Sequence, residues 1–443
     1  MSSTILEGVL YSGLINFIFW FFIFIFSIFY IRIPLYHPFF LYLIYHFLGY
    51  ILRPFLIYIN QNSFLWDRIG IYPQGFDIFT VTIVANIALL SVFSGLIIGM
   101  GGVSKLKKPK KFHVIIGRDF NFYIALFVLV TLGLYANYIS IADAGLDSVL
   151  AYESERDEKG GGRLVGVSGY VTALAEFLPP ICILLFMIPK IRKIAFLLII
   201  AYILLRFFAG AQRLSFVIVV AGAYSYYLII KNKSYPNLNH ILILLVFAFI
   251  FDVIGSDRYA ARKLMMGETT ISEILVAHND SRGSNALTSD IVEYDVATAT
   301  LTVVNNYDTY TYGSQYLRIL IWPIPRQIWN DKPVYTSIVN LNDYGDFRYL
   351  TTGVYADSYM AFSYASLIFL MALLGYFFSR IYNALLYTES VAYMLFYWVV
   401  FIFTKTILRD GGVTFIYFWV FSMIPVFILC YMGKLRLVRS NND

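Results

Sequence analysis

Charge is scarce in this chain. Asp, Glu, Lys and Arg make up 14% of its 443 residues, where a soluble domain carries about 25%. With 59% of the residues hydrophobic and 19% aromatic, there is too little charge to cover a water-facing surface, and a soluble globular protein is excluded. Cysteine is scarcer still. Cys182 and Cys430 both lie inside apolar runs, so neither a disulfide nor a thiolate metal site is expected. The histidines His37, His46, His113, His240 and His278 are scattered without ligand spacing, and no metal is expected from them. No Walker loop, dinucleotide glycine fingerprint, HExxH or GxSxG occurs, which removes the common nucleotide, zinc-hydrolase and serine-hydrolase chemistries. The net charge of +6 does not point to nucleic acid, because its densest lysine cluster lies between two apolar runs.

What the chain has in quantity is long apolar segments. A helix needs about 20 apolar residues to cross the hydrocarbon. The candidates are 10–31, 38–59, 78–100, 120–142, 170–188, 194–209, 214–230, 241–255, 354–378, 391–407 and 413–432, about eleven spans in an all-α polytopic membrane protein. The first run has no Lys or Arg before Arg32, so it reads as a retained span and not as a signal peptide. No internal repeat, linker or soluble domain boundary is visible, and 1–443 reads as a single membrane domain.

Basic residues sort by loop. Arg32, the Lys105–Lys111 cluster with Arg118, then Lys190, Arg192 and Lys193, Lys231 and Lys233, Arg380, and Lys434, Arg436 and Arg439 fall on one face. The opposite short loops hold fewer: Arg68, Arg156, Lys159, Arg163, Arg213 and Arg409. The richer face is expected to be cytoplasmic. Eleven spans then place the C-terminus inside and the N-terminus outside. The long polar stretch 256–352, between the eighth and ninth spans, falls outside as one large loop.

Three residue types on that outer side could carry chemistry. Arginine is the first: Arg206 inside a span, Arg213 seven residues on, Arg258 and Arg262 at i,i+4, Arg326 in the loop, Arg409 four residues after Lys405, and Arg53 before Pro54. A charge at membrane depth is expensive unless it is paired or wetted, and the guanidinium fork suits phosphate oxygens. The alternative is snorkelling to phospholipid headgroups. Acids are the second. Asp357, in Gly353-Val354-Tyr355-Ala356-Asp357-Ser358-Tyr359, stands where the ninth span begins. There it is either a base for a sugar hydroxyl or a carboxylate favoured by the helix dipole. Asp252 and Asp257 could pair with Arg258 or Arg262, and His278 reads as a solvated loop residue. Aromatics are the third. Tyr294, Tyr307, Tyr310, Tyr312, Tyr316, Trp322, Trp329, Tyr335, Tyr344 and Tyr349 populate the outer stretch and could stack on sugar rings, against the alternative of an interfacial aromatic belt.

One element of the loop is specific. Trp322-Pro323-Ile324-Pro325-Arg326-Gln327-Ile328-Trp329-Asn330-Asp331-Lys332-Pro333 resembles the P-R-x-x-W-x-x-K-P outer-loop element of the Wzy-type O-antigen polymerases. His37-Pro38 leading to Arg53-Pro54, the Gln212-Arg213 turn, Gly353 to Arg380 with Leu374-Gly375-Tyr376, and Arg409-Asp410-Gly411-Gly412 resemble the same family. The resemblance covers most of the chain in layout and a few short motifs in detail. It implies a GT-C-like enzyme of the bacterial inner membrane with its active site facing the periplasm. Such an enzyme moves a growing glycan from one undecaprenyl diphosphate to the repeat unit on another. Arg206, Arg213 and Arg326, with Arg409 and Arg258, would bind the diphosphate, and Asp357 would be the base. Trp322, Trp329 and Tyr355 would hold sugar. No cofactor is implied, and a chain-length-regulating co-polymerase is an implied partner. The stretch 60–77 lacks the Asp-X-Asp of metal-dependent membrane glycosyltransferases, so neither a nucleotide-sugar donor nor a metal is expected. O-antigen ligases carry a His-Asn pair near the span entry where this chain has Ala356-Asp357, which favours polymerase over ligase. A flippase for lipid-linked sugars is the non-enzymatic alternative. It would spread charge along a central path, whereas the charges here gather at one face.

Overall fold

The structure is a computed structural model that describes residues 2–142, 174–208, 214–242, 269–273, 276, 291–321, 324, 328–329, 341–347 and 350–439. It is an all-α membrane protein. Six helical segments among the described residues are long and apolar enough to cross a bilayer: Ser3–Ile31, Pro38–Asn60, Gly75–Met100, Asp119–Ile139, Gly353–Tyr387 and Val391–Asp410. Shorter apolar helices cover Leu174–Met187, Val219–Ile230 and Trp419–Gly433. The candidate span 241–255 lies mostly outside the described residues.

In chain order the helices are α1 (Ser3–Ile25), α2 (Pro38–Phe47), α3 (Arg53–Asn60), α4 (Phe64–Ile69), α5 (Gly75–Met100), α6 (Asp119–Ala142), α7 (Leu178–Met187), α8 (Arg192–Phe208) and α9 (Leu214–Ile230). They continue as α10 (Glu293–Tyr307), α11 (Ser314–Ile321), α12 (Gly353–Tyr387), α13 (Val391–Asp410) and α14 (Gly412–Gly433). Local chemistry sets several starts. Pro38 opens α2 where its missing N–H costs nothing, and the His37 ring accepts from Phe39 N at 3.1 Å. Gln74 and Asp77 form a reciprocal capping box at the start of α5, satisfying two otherwise orphaned donors. Between α2 and α3 the backbone makes a π-helical turn, Leu48–Leu52, a device that reorients side chains within a helix.

The tightest seam joins α5 to α12. A Cβ on Gly95 would collide with Ala372 O, and one on Gly375 with Val92 O. Gly99 faces Ser379 in the same way. Small residues four apart on both helices let the backbones touch, which supplies dispersion where lipid offers no hydrophobic drive. A second seam is polar. Asn86 Nδ2 donates to Asn16 Oδ1 at 2.6 Å, Asn16 Nδ2 to Tyr50 O at 2.9 Å, and Thr82 Oγ1 to Ser12 Oγ at 2.6 Å. These bonds tie α1, α5 and the π-helical turn together.

Two features depart from the apolar pattern read along the sequence. The ninth candidate span is broken. Phe362 (φ −154°, ψ 43°) and Ser363 (φ 57°, ψ −141°) leave helical geometry inside α12. Ser366 Oγ takes up the freed Phe362 N–H at 2.7 Å and donates to Ser358 O at 2.6 Å. Thr311 N donates to Met360 O at 2.9 Å. Irregular backbone at this depth survives because neighbours satisfy it. The segment 364–387 alone rises about 36 Å, enough to span, while the segment 353–361 is a separate, wholly buried helical piece. The second departure lies within 256–352, read above as an outer loop. It contains α10, which is buried from Glu293 to Val304 and packs on α5, α12 and α4. Its threonines bond back into the helix, Thr298 Oγ1 to Tyr294 O at 2.6 Å and Thr302 Oγ1 to Thr298 O at 2.9 Å.

The basic loops converge at one end of the bundle. A two-stranded antiparallel ribbon pairs β1 (Phe112–Ile115) with β2 (Arg436–Arg439). Leu106 N donates to Ile31 O at 2.8 Å, Tyr235 Oη to Ile33 O at 2.6 Å, and Tyr382 Oη to Lys107 O at 2.9 Å. Arg439 donates to Leu385 O at 2.9 Å and Thr388 O at 2.6 Å, capping α12. Helix α13 starts at this end and runs 20 residues, about 30 Å, to Arg409 and Asp410 at the far end.

Candidate functional site

The far end gathers the first turn of α10, the π-helical turn, the short segment 353–361 of α12, α11 and the last turn of α13. Their packing fixes the geometry. Tyr45 Oη donates to Leu408 O at 2.9 Å. A Cβ on Gly353 would lie 3.4 Å from Tyr45 Oη and 3.9 Å from Arg409 O. Gly411, with φ at +84°, closes α13, and a Cβ there would stand 3.3 Å from Asp357 Oδ2. Asp357 is therefore set against the Arg409-Asp410-Gly411 turn. Gln315 Nε2 of α11 anchors its backbone carbonyl at 3.1 Å. Tyr316 faces Asp357, and burial together with that carboxylate pushes its phenol well above the usual range.

Three carboxylates and two cations share this corner. Arg409 Nε lies 3.9 Å from Asp410 Oδ1, both side chains about a quarter exposed. Glu293, at the start of α10, is 8% exposed. Burial raises its carboxyl above the usual 4.5, and Arg409 and Lys405 pull the other way. Beside them Tyr42, Tyr45, Tyr50, His46 and Tyr355 form a buried aromatic cage. Tyr355 Oη donates to Tyr42 Oη at 2.7 Å and meets His46 Nδ1 at 2.9 Å. His46 Nε2 is buried and has no hydrogen-bond partner among the described residues.

A fourth acid is fully committed. Asp295, two residues after Glu293, takes Arg53 Nε at 2.5 Å and Arg53 Nη2 at 3.0 Å in a bidentate fork. Ser63 Oγ donates to the same carboxylate, and Trp66 Nε1 donates to the Asp295 carbonyl at 3.0 Å. Arg53 is 2% exposed, so it neither snorkels to headgroups nor faces an open site. Its role is to lock α3 and α4 onto α10.

Of the residues expected from sequence, Asp357, Tyr355 and Arg409 come together here. Tyr355 is fully enclosed, with its hydroxyl used inside the cage, so it offers no open face for stacking on a sugar. Trp329 is described at its own position, 38% exposed. Arg206 lies in α8, and its side chain is outside the description; Arg213, Arg258, Arg262, Trp322, Arg326, Asp252, Asp257 and His278 fall outside the described residues. Glu293 and Asp295 were missed. The run Glu293 to Val304 is rich in Thr and Val, carries the acids Glu293 and Asp295, and is followed by Asn305 and Asn306, so it reads as loop or strand. Only its lack of Gly and Pro hinted at a helix. Among the described residues no group of three His, Cys, Asp or Glu side chains could hold a metal ion. Comparison with family models, with curated proteins and with solved structures finds no match.

Proposed function

We propose that the chain is a lipid-diphosphate-dependent glycosyltransferase of the Wzy type. It would polymerise lipid-linked oligosaccharide repeat units, with about eleven spans in a GT-C-like arrangement. The observation that carries this reading is the far-end corner, where Arg409 and Lys405 stand among Asp357, Asp410 and Glu293. An anionic leaving group and a hydroxyl nucleophile need such a mixture: cations for the departing diphosphate and a carboxylate for the proton. The basic end lies about 30 Å away along α13. The positive-inside rule supports reading that end as cytoplasmic, and on this reading the corner would face the periplasm of an inner membrane.

In this mechanism the acceptor hydroxyl attacks the anomeric carbon of the donor glycan. The bond from that carbon to the lipid diphosphate breaks, and its electron pair leaves with the diphosphate. Arg409 holds the leaving group, joined by Arg206, Arg213, Arg326 and Arg258. Trp322 and Trp329 supply stacking surfaces. One of the three carboxylates receives the hydroxyl proton. The bond energy is already stored in the lipid diphosphate, so no nucleotide is consumed.

The test is a surface-polysaccharide gel on a deletion strain complemented with wild type, Arg409→Ala or Arg326→Ala. Collapse of the ladder to core plus one repeat in the deletion, restored by wild type and by neither variant, is expected. Loss of the single-repeat band as well would indicate translocation or ligation and would sink the polymerase reading.

A further inference from the structure

The mechanism above leaves the choice among Asp357, Asp410 and Glu293 open. We propose that Glu293 is the residue that takes the acceptor proton and that the Arg53–Asp295 pair is the device that positions it. This rests on the polymerase reading of the site.

Two acids on one helical turn have different surroundings. Asp295 is held by the Arg53 fork, by Ser63 and through its carbonyl by Trp66. Nothing of it is left for proton chemistry, but the first turn of α10 is thereby fixed to α3 and α4. Glu293 is held in no such fork. Its carboxylate lies over bare backbone, since a Cβ on Gly49 would fall 3.2 Å from Glu293 Cβ and 3.6 Å from Glu293 Oε2. Gly49 belongs to the π-helical turn Leu48–Leu52, so the irregular turn and the missing side chain together make the space the carboxylate occupies.

The groups facing Glu293 come from each element packed there. Arg409, Lys405 and Asp410 act on it from α13, and Tyr45 and Tyr50 from α2 and the π-helical turn. Tyr50 is fully buried and its hydroxyl faces Tyr45, so two phenols line the carboxylate's side of the cage. Asp357 lies across the corner on α12, against Gly411 and Tyr316. A carboxylate that is desolvated yet flanked by two cations is suited to accept a proton as the diphosphate departs. In the step, the acceptor oxygen bonds to the anomeric carbon as the carbon–diphosphate bond breaks. The proton passes from that hydroxyl to Glu293, and it is returned to water when product leaves. Asp295 and Arg53 act only through Glu293 and are positioning residues.

The experiment uses the full chain in lipid nanodiscs, with single lipid-linked repeat units extracted from a deletion strain as donor and acceptor. Polymer from wild type must be seen first, and its absence would defeat the polymerase reading itself. Given polymer, Glu293→Gln is expected to lose about 100-fold or more in kcat with KM little changed. Glu293→Asp keeps a measurable rate with a displaced acidic limb in its pH–rate profile. Asp295→Asn lowers kcat without changing KM, and Arg53→Lys recovers part of what Arg53→Met loses. A wild-type rate and profile in Glu293→Gln, with the loss appearing in Asp357→Asn instead, would overturn the assignment. If Glu293→Gln does not insert, Glu293→Asp decides, and an unshifted profile in that variant counts against the proposal. Wild-type kcat in a folded Asp295→Asn would reject the positioning role.

Discussion

The two ends of the bundle handle charge in opposite ways. At the basic end, cations of one sign sit mostly in loops and on the β1–β2 ribbon, exposed or half-exposed. Where one is used, as with Arg439 on the last carbonyls of α12, it serves as a cap. At the far end, charges of both signs are drawn into the protein: Arg53 is 2% exposed, Asp295 0%, Asp357 7% and Glu293 8%. Surface charge costs a membrane protein little, whereas buried charge is costly unless paired. The far end is therefore where the fold spends stability on something other than folding, and the basic end is where it fixes orientation.

The comparison can be broken most severely at the buried pair. Asp295→Ala strands the Arg53 guanidinium and should cost about 3–5 kcal/mol, read as a large drop in the melting temperature of detergent-purified protein. The double variant Arg53→Met with Asp295→Leu should recover most of that loss, because the apolar pair needs no desolvation. Failure of the double variant to recover would mean that the pair holds the helices by more than its charges. Next in size is the apolar seam. Gly375→Leu drives a side chain into α5 at Val92 and should cost about 1–3 kcal/mol or more, seen as lost monodisperse protein on size exclusion. The polar seam is weaker. Asn86→Val removes the donor to Asn16 and should cost about 0.6–2 kcal/mol by the same melting assay.

The smallest effect depends on pH. Burial raises the Glu293 carboxyl above its usual 4.5. The folded protein therefore binds the Glu293 proton more tightly than the unfolded chain does. This contribution is at its best below the unfolded value, and it is lost as pH rises through the folded value. Glu293→Gln should remove that slope, so that the variant gains on wild type as pH is raised above about 4.5. Equal stability–pH curves for the two proteins would contradict the burial argument. At the basic end, Arg436→Gln should leave stability unchanged at any pH, which sharpens the contrast.

The sequence was legible where one property repeats. Apolar length found the spans Ser3–Ile31, Pro38–Asn60, Gly75–Met100, Asp119–Ile139, Gly353–Tyr387 and Val391–Asp410. The loop charges that were grouped on one face do meet at one end, through contacts such as Leu106 to Ile31 and Tyr382 to Lys107. What could not be read was pairing over distance. Arg53 and Asp295 are separated by 242 positions, and nothing local marks either as the other's partner. Helix α10 was hidden because buried threonines turn their hydroxyls onto their own helix, a solution that composition does not reveal. The break at Phe362 and Ser363 depends on Ser366 and Thr311 catching the freed backbone groups, and neither residue is a helix breaker by type. Asp357 and Arg409 stand out in the sequence and share one corner, but the acid beside them, Glu293, is brought there only by packing.

The most direct measurement is the release of undecaprenyl diphosphate by the purified chain from lipid-linked repeat units, followed together with glycan length, in wild type and Arg409→Ala. The account predicts one lipid diphosphate released for each glycosidic bond formed by wild type, and neither product from a folded Arg409→Ala. Polymer formed at the wild-type rate by Arg409→Ala, or no lipid diphosphate released by wild type, would contradict it.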